Sequence, residues 1–207
     1  IDWNGSQLAM PRMTGTMQLH NYPVSEIRRF IDWTFFFHTW RLTGSFKGIA
    51  AIGNETEKEQ WLSRFTDEES RLKAEEALKL FGDAMEMLDL IEKKQMLTAN
   101  AVFGIYPANS KDEDIIVYTN ESRTKVKTVF HQMREQQDKP GKEAFYSLAD
   151  FIAPEGYDDY VGGFAVTAGV GIEKWLKYYD DQQDDYSSIL LKSLADRLAE
   201  AFAELLH

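Results

Sequence analysis

A change of hydrophobic period near residue 95 limits the folds open to this chain more than any other feature. Between residues 67 and 94, apolar side chains recur every three or four positions, which predicts one long amphipathic helix. After residue 100 the apolar residues form short runs between turn residues, which predicts β-strands. Strands that follow a helical region without regular alternation of strand and helix favour an α+β fold.

The predicted strands share apolar, β-branched or aromatic composition, and they lie at residues 101–106, 114–119, 124–131, 145–152 and 162–167. The second and third flank the turn at residues 120–123 and predict a hairpin. Apolar and polar residues alternate along residues 124–131, so we expect one face of that strand to be exposed to solvent. The polar stretch at residues 132–143 predicts a loop.

Further helices are predicted at residues 26–31 and 55–65, and from Asp184 or Asp185 to His207. Two capping-box spacings support the central helices. They pair Asn54 with Glu57, and Thr66 with Glu69. The last helix has a leucine-rich apolar stripe and, roughly opposite it, an acidic stripe at every fourth residue. Its members advance only about 40° around the axis per step, and they are Asp196, Glu200 and Glu204.

Composition removes several functional classes. The chain has no cysteine, which excludes disulfides, thiolate zinc sites and cysteine nucleophiles and fits a cytoplasmic protein. Its four histidines are scattered, so no metal site is predicted. A net charge of −11 makes nucleic acid an unsuitable partner. There is no apolar run of about 18 residues, so we expect no membrane-spanning helix.

The N-terminal residues carry neither an initiator methionine nor a signal-peptide pattern, so we expect a piece of a longer chain. Residues 1–30 are interpreted as an extended N-terminal segment with a short helix, and residues 31–207 as one domain. The aromatic cluster at residues 33–40 is predicted to belong to its core. No phosphate-binding loop or dinucleotide fingerprint is present.

Five segments carry motifs in a fixed order, at residues 31–44, 107–115, 148–154, 159–167 and 184–204. Together they resemble the activation domain of cobalamin-dependent methionine synthase. Two departures from the family pattern are Phe35, where the family usually has proline, and residues 45–68, which diverge. The family continues beyond the position of His207 to an Arg-Pro-Ala-Pro-Gly-Tyr-Pro motif that binds S-adenosylmethionine (SAM). We therefore expect the domain at residues 31–207 to be incomplete at its C-terminus.

The resemblance implies a twisted, mainly antiparallel sheet flanked by helices, and a SAM-binding module of a methyltransferase of methionine biosynthesis. In the family, cobalamin that has oxidised to cob(II)alamin receives an electron from a flavodoxin-type donor and a methyl group from SAM. Cobalamin is held mainly by another module of the enzyme, so the isolated domain is not expected to catalyse the reaction alone. The alternative is a SAM-independent interaction module that docks a cobalamin-carrying partner.

The resemblance also implies the binding residues, and it implies no catalytic group or metal ligand. Asp32 matches the family's SAM-contacting aspartate. Glu200 matches a glutamate near SAM and the corrin, and Asp196 matches an aspartate one turn earlier on the same helix. From the residues alone, Asp32 is a helix-end residue and the other two belong to the exposed face of an amphipathic helix. Residues 106–109 are further candidates to approach the ligand.

An acidic chain repels an acidic flavodoxin-type donor unless a local basic patch attracts it. Such a patch is predicted from five cations, which are Arg123, Lys125, Lys127, Arg134 and Lys139.

Overall fold

The computed structural model describes residues 2–4, 8–137, 141 and 144–207. Within these ranges the helices and strands follow the order β1 (Gly15–Leu19), α1 (Val24–Ile27), α2 (Trp33–Thr39), α3 (Glu55–Leu62), α4 (Glu68–Lys94), β2 (Thr98–Lys111), β3 (Asp114–Tyr118), β4 (Val126–His131), β5 (Asp159–Val170), α5 (Ile172–Asp181) and α6 (Asp185–Leu206). Short 3-10 helices lie at Arg28–Phe30, Ile49–Ala51 and Leu148–Phe151. This mixture of helices and an antiparallel sheet confirms the predicted α+β class.

The chain divides into two compact units. The sheet unit consists of Ile1–Gln18 and Val102–Ala165, and the helical unit consists of Leu19–Ala101 and Val166–His207. The division falls within β1, β2 and β5, so these strands contribute residues to both units.

The sheet is organised around the long strand β2. Its strand order is β1-β2-β3-β4, and β5 also pairs with β2. The hairpin of β2 and β3 is antiparallel, from Ala108 opposite Val117 to Lys111 opposite Asp114. The predicted hairpin of β3 and β4 is confirmed, with antiparallel pairing and an irregularity after Val117. A small apolar core fills the sheet unit, with Ala108, Ile115, Val117 and Ala149 at its centre.

The helical unit has the larger core, and α4 and α6 supply much of it. Helix α4 begins after Asp67, whose side chain accepts a hydrogen bond from the backbone N–H of Ser70 at 2.8 Å. Its buried face follows the predicted three- and four-residue spacing. Helix α6 buries Leu191, Leu194, Leu198 and Phe202 almost completely. Burying several large apolar side chains in this way fixes the helix face that points inward, and it leaves the acidic stripe outward.

Three sequence predictions were wrong in detail. The predicted strand at residues 145–152 is instead a 3-10 helix at Leu148–Phe151, because Ser147 and Asp150 form a capping box at its start. The cap of α4 is Asp67 rather than Thr66. Strand β4, which was predicted to have one exposed face, is exposed on both, and its apolar residues Val126 and Phe130 are among the exposed ones.

Helix α5 was not predicted, and it follows Gly171, which has a left-handed backbone with φ of 92°. Among the described residues, no helix has the length and apolar content that a membrane crossing requires.

Candidate functional site

A cleft of about 430 Å³ opens in the helical unit beside the start of α2 and the C-terminal half of α6. Its lining combines acidic, basic and aromatic side chains, namely Phe30, Asp32, Phe35, Arg197, Glu200, Ala201 and Glu204. Two of the three predicted ligand-binding residues, Asp32 and Glu200, therefore meet at one opening although they lie far apart in the sequence. The third, Asp196, lies beside the cleft and is bonded to Arg197.

Asp32 is the N-cap of α2. Its Oδ1 accepts a hydrogen bond from the backbone N–H of Thr34 at 2.8 Å, which satisfies one of the free donors at the helix start. The side chain is exposed, and its Oδ2 has no hydrogen-bond partner in the described part of the chain. One carboxylate oxygen thus holds the helix, and the other faces solvent with an unused charge.

Arg197 ties the two acidic residues of α6 together. Its Nη1 donates to Oε2 of Glu200 at 2.7 Å, and its Nη2 donates to Oε1 of the same carboxylate at 2.8 Å. Nη2 also donates to Oδ2 of Asp196 at 2.5 Å. The Arg197 side chain is only 11% exposed, whereas those of Asp196 and Glu200 are 67% and 62% exposed. A nearly buried guanidinium therefore holds two carboxylates whose outer sides remain open.

The electrostatics of this cluster favour a charged arginine. Burial lowers the pKa of Arg197, but the hydrogen bonds and negative charges of Asp196 and Glu200 outweigh burial and raise that pKa above its ordinary value. The guanidinium stays protonated at every physiological pH. The cleft lining then carries three carboxylates, from Asp32, Glu200 and Glu204, against one cation.

One aromatic ring departs from the predicted core role. Phe36 and Phe37 are buried, and Trp33 packs edge-to-face on Phe81 with ring centroids 4.7 Å apart. Phe35 is instead 55% exposed in the cleft, with the Arg197 guanidinium 5.9 Å from its ring centroid. The sequence did carry a signal for this residue, because Phe35 stands where the related family usually has proline.

Known proteins of one family are similar to this chain. The model of the activation domain of vitamin B12 dependent methionine synthase matches residues 23–207. The chain belongs to this family. A solved structure described as the crystal structure of the MetH reactivation domain bound to AdoHcy is 38% identical to the activation domain described here, with a TM-score of 0.83. The match covers 100% of this chain and 58% of that one.

The second and third motifs of the activation domain meet in the sheet unit at Asn109. This buried amide donates through Nδ2 to the carbonyl oxygens of Ala153, Pro154 and Tyr157, at 3.2, 2.9 and 2.9 Å. Its Oδ1 accepts from Nη1 of Arg123 at 3.2 Å. Since all its side-chain polar atoms are engaged within the unit, Asn109 serves to join β2 to the backbone at residues 153–157 and to the side chain of Arg123.

The predicted basic patch is reduced by internal bonding. Arg123 is 13% exposed and bonds backbone carbonyls, and Arg134 forms a double hydrogen bond with Asp150 at 2.7 and 3.0 Å. Lys127 lies 4.4 Å from the ring centroid of Tyr106. Lys125 is exposed. The fifth predicted cation, Lys139, lies outside the described residues.

The described residues contain no group of three or more metal-ligating side chains. The cleft lining combines carboxylates with an exposed aromatic ring, a combination of groups that can bind an organic cation.

Proposed function

We propose that this activation domain binds SAM in the cleft of the helical unit and supports reductive methylation of cob(II)alamin in methionine synthase. In this role one electron comes from a flavodoxin-type donor, and one methyl group comes from SAM. The cobalamin is held mainly by a separate module of the enzyme. The chain spans about three fifths of the related solved protein, so the activity of the whole enzyme is also part of this proposal.

The observation that carries the proposal is the meeting of Asp32 and Glu200 at one cleft. Family resemblance alone selected these residues, one from the first motif and one from the last. The fold brings them to a single opening with Arg197 and Phe35. The similar MetH reactivation domain was solved with AdoHcy, a compound that differs from SAM by the methyl group and the positive charge on sulfur.

The residues of the cleft suit such a ligand chemically. SAM carries a sulfonium and an ammonium group, and carboxylates form charge-assisted hydrogen bonds or ion pairs with cations. A cleft of about 430 Å³ lies in the size range of small-molecule sites. The exposed ring of Phe35 adds an apolar surface that a purine or a sulfonium methyl can contact.

The chain's own residues act by holding the ligand in place. When bound, SAM supplies an activated methyl group, and its transfer requires no general base. Orientation of two reacting groups is worth roughly 7–11 kcal/mol in favourable cases. We assign Asp32 to the amino end of the ligand through its free Oδ2. Asp196 and Glu200 shape the surface that faces the positive ligand and the cobalamin.

The two protein partners are expected to contact different surfaces of the chain. We expect the cobalamin-carrying module to approach the open side of the cleft. The flavodoxin-type donor is expected at Lys127 on β4 and at Lys125 directly before that strand, two exposed cations of the predicted patch. The absence of cysteine fits a cytoplasmic enzyme.

Titration calorimetry with SAM tests the proposal, on this 207-residue chain and on the protein as its gene encodes it. Asp32→Asn keeps a capping side chain, so the fold should survive while the charge on the amino group's partner is lost. Hydrogen bonds to charged groups contribute about 1.5–3 kcal/mol, so we expect affinity to fall roughly 10- to 100-fold. AdoHcy should weaken in parallel, because it also carries the ammonium group.

Asp67→Asn is the matched control, since Asp67 caps α4 with the same 2.8 Å bond but lies outside the cleft lining. It should leave affinity unchanged. Binding by the gene-encoded protein alone would retain the SAM role and limit it to the longer chain. Absence of SAM binding in both proteins, with binding to a cobalamin-carrying partner intact, would favour the interaction-module alternative.

A further inference from the structure

Among the described residues, the guanidinium of Arg197 is the one cation in a cleft lining that carries three carboxylates. It lines the same opening as Asp32, Glu200 and Glu204. Considered by charge alone, it competes with any cationic ligand for the carboxylates. Its geometry explains why it is there.

The Arg197–Glu200 contact is a two-pronged bond, in which each Nη atom donates to a different carboxylate oxygen. Such a fork fixes both the position and the plane of the carboxylate, which a single lysine-type contact does not do. Arg197 is fixed in turn by burial and by the second carboxylate, Asp196. A free glutamate on a helix surface would instead sample several rotamers.

Arg197 also reduces repulsion along the helix. Asp196, Glu200 and Glu204 occupy successive i, i+4 positions, where like charges destabilise one another. Placing a cation between the first two leaves Glu204 with no ion pair among the described residues. The exposed sides of Asp196 and Glu200 stay available, with 67% and 62% of their side-chain surface open.

We propose that Arg197 is a positioning residue: it holds the Glu200 and Asp196 carboxylates in the orientation in which they meet the cationic ligand. This inference rests on the proposed SAM site and adds to it the group that orders its acidic residues. A ligand that meets fixed carboxylates avoids the entropy cost of ordering flexible side chains on binding. The Arg197 guanidinium itself need not touch the ligand.

An effect of charge and an effect of positioning predict different changes in SAM affinity when Arg197 is substituted, and this makes the proposal testable. Arg197→Met removes a positive charge from the cleft, so an electrostatic effect alone would strengthen SAM binding. Loss of positioning would weaken it. Arg197→Lys keeps the charge and loses the fork, so charge alone predicts no change and positioning again predicts a loss.

The experiment measures SAM affinity by calorimetry on the gene-encoded protein, in wild type, Arg197→Lys, Arg197→Met and Glu200→Gln. We expect both arginine variants to bind SAM about three- to tenfold more weakly. The Arg197→Lys/Glu200→Gln double variant is measured beside these. Its further loss relative to Glu200→Gln should be smaller than the loss from Arg197→Lys alone, because of the two carboxylates that Arg197 orders only Asp196 then keeps its charge. Far-UV circular dichroism and thermal unfolding verify that each variant is folded.

Arg71→Lys provides the control, because Arg71 forms a single 3.2 Å bond to Glu75 on the surface of α4. It should leave affinity unchanged. Unchanged or stronger SAM binding by folded Arg197→Lys and Arg197→Met, in a wild type that does bind SAM, would overturn this inference and spare the proposed function. A wild type without SAM affinity would overturn both.

Discussion

Two arginines of this chain are similarly shielded but have different partners. Arg123, in the sheet unit, is 13% exposed and bonds the carbonyls of Ala108 and Asp159 and the amide of Asn109. Arg197, in the helical unit, is 11% exposed, and its hydrogen bonds go to two exposed carboxylates. The first arginine joins backbone segments, and the second orders charged side chains at an opening. Similar burial therefore accompanies a structural role in the sheet unit and, in our proposal, ligand recognition in the helical unit.

The largest expected effect is the loss of stability in Arg123→Met. The variant leaves the buried carbonyl of Ala108 and the buried amide oxygen of Asn109 without their cationic donor. Unpaired buried polar groups cost about 1–3 kcal/mol each, so we expect unfolding free energy to fall by about 3 kcal/mol. Urea unfolding measures this, while SAM affinity of the folded fraction should match wild type. A fall in unfolding free energy below about 1 kcal/mol would contradict the structural role that distinguishes Arg123 from Arg197.

A smaller effect on stability is expected for Arg197→Met. Its partners are largely exposed, and solvent screens ion pairs of that kind, so the loss should be about 1 kcal/mol or less. The same urea experiment provides the measurement. A loss as large as that of Arg123→Met would mean that both arginines mainly serve the fold, and the comparison would fail.

The smallest change is expected in the dependence of stability on acid pH, which tests the contribution of the Arg134–Asp150 ion pair to the sheet unit. The hydrogen bond from Arg134, followed by the backbone N–H of Ser147, lowers the pKa of Asp150 below its ordinary value. A lowered folded-state pKa stabilises the fold above the unfolded-state pKa, and this contribution is lost as pH falls through the folded-state value. Asp150→Asn should flatten that part of the stability–pH curve, and an unchanged slope would contradict the assignment.

The sequence predicted the elements whose stability comes from periodic burial. Helix α4 at Glu68–Lys94 agrees with the predicted residues 67–94, and α6 begins after Asp184, one of the two residues predicted as its cap. Elements set by short-range polar contacts were missed. The apolar run around Leu148 resembled a strand, but the capping box of Ser147 and Asp150 stabilises a 3-10 helix there instead. Helix α5 has no side-chain cap at Gly171, so the usual signal for a helix start is lacking.

The candidate site was only partly predictable. Resemblance supplied Asp32, Glu200 and Asp196, but periodicity alone described the last two as the exposed face of a helix. Neither source indicated Arg197, because its role depends on the hydrogen bonds that its side chain forms with Asp196 and Glu200 in the folded chain. Likewise, the sequence listed the cations of the basic patch without showing that Arg123 and Arg134 are bonded within the sheet unit.

The double use of the Asp32 carboxylate sets how this position can vary. One oxygen caps α2 and the other is open to the ligand that we propose, so under that proposal the fold and the ligand each require this side chain. In a saturation library at this position, a screen for folded protein should retain Asn, Ser and Thr beside Asp, because each can cap a helix. A screen for reactivated enzyme should retain Asp alone. Residues that pass the first screen and fail the second would show that the requirement for folding and the requirement for ligand binding at this position can be separated.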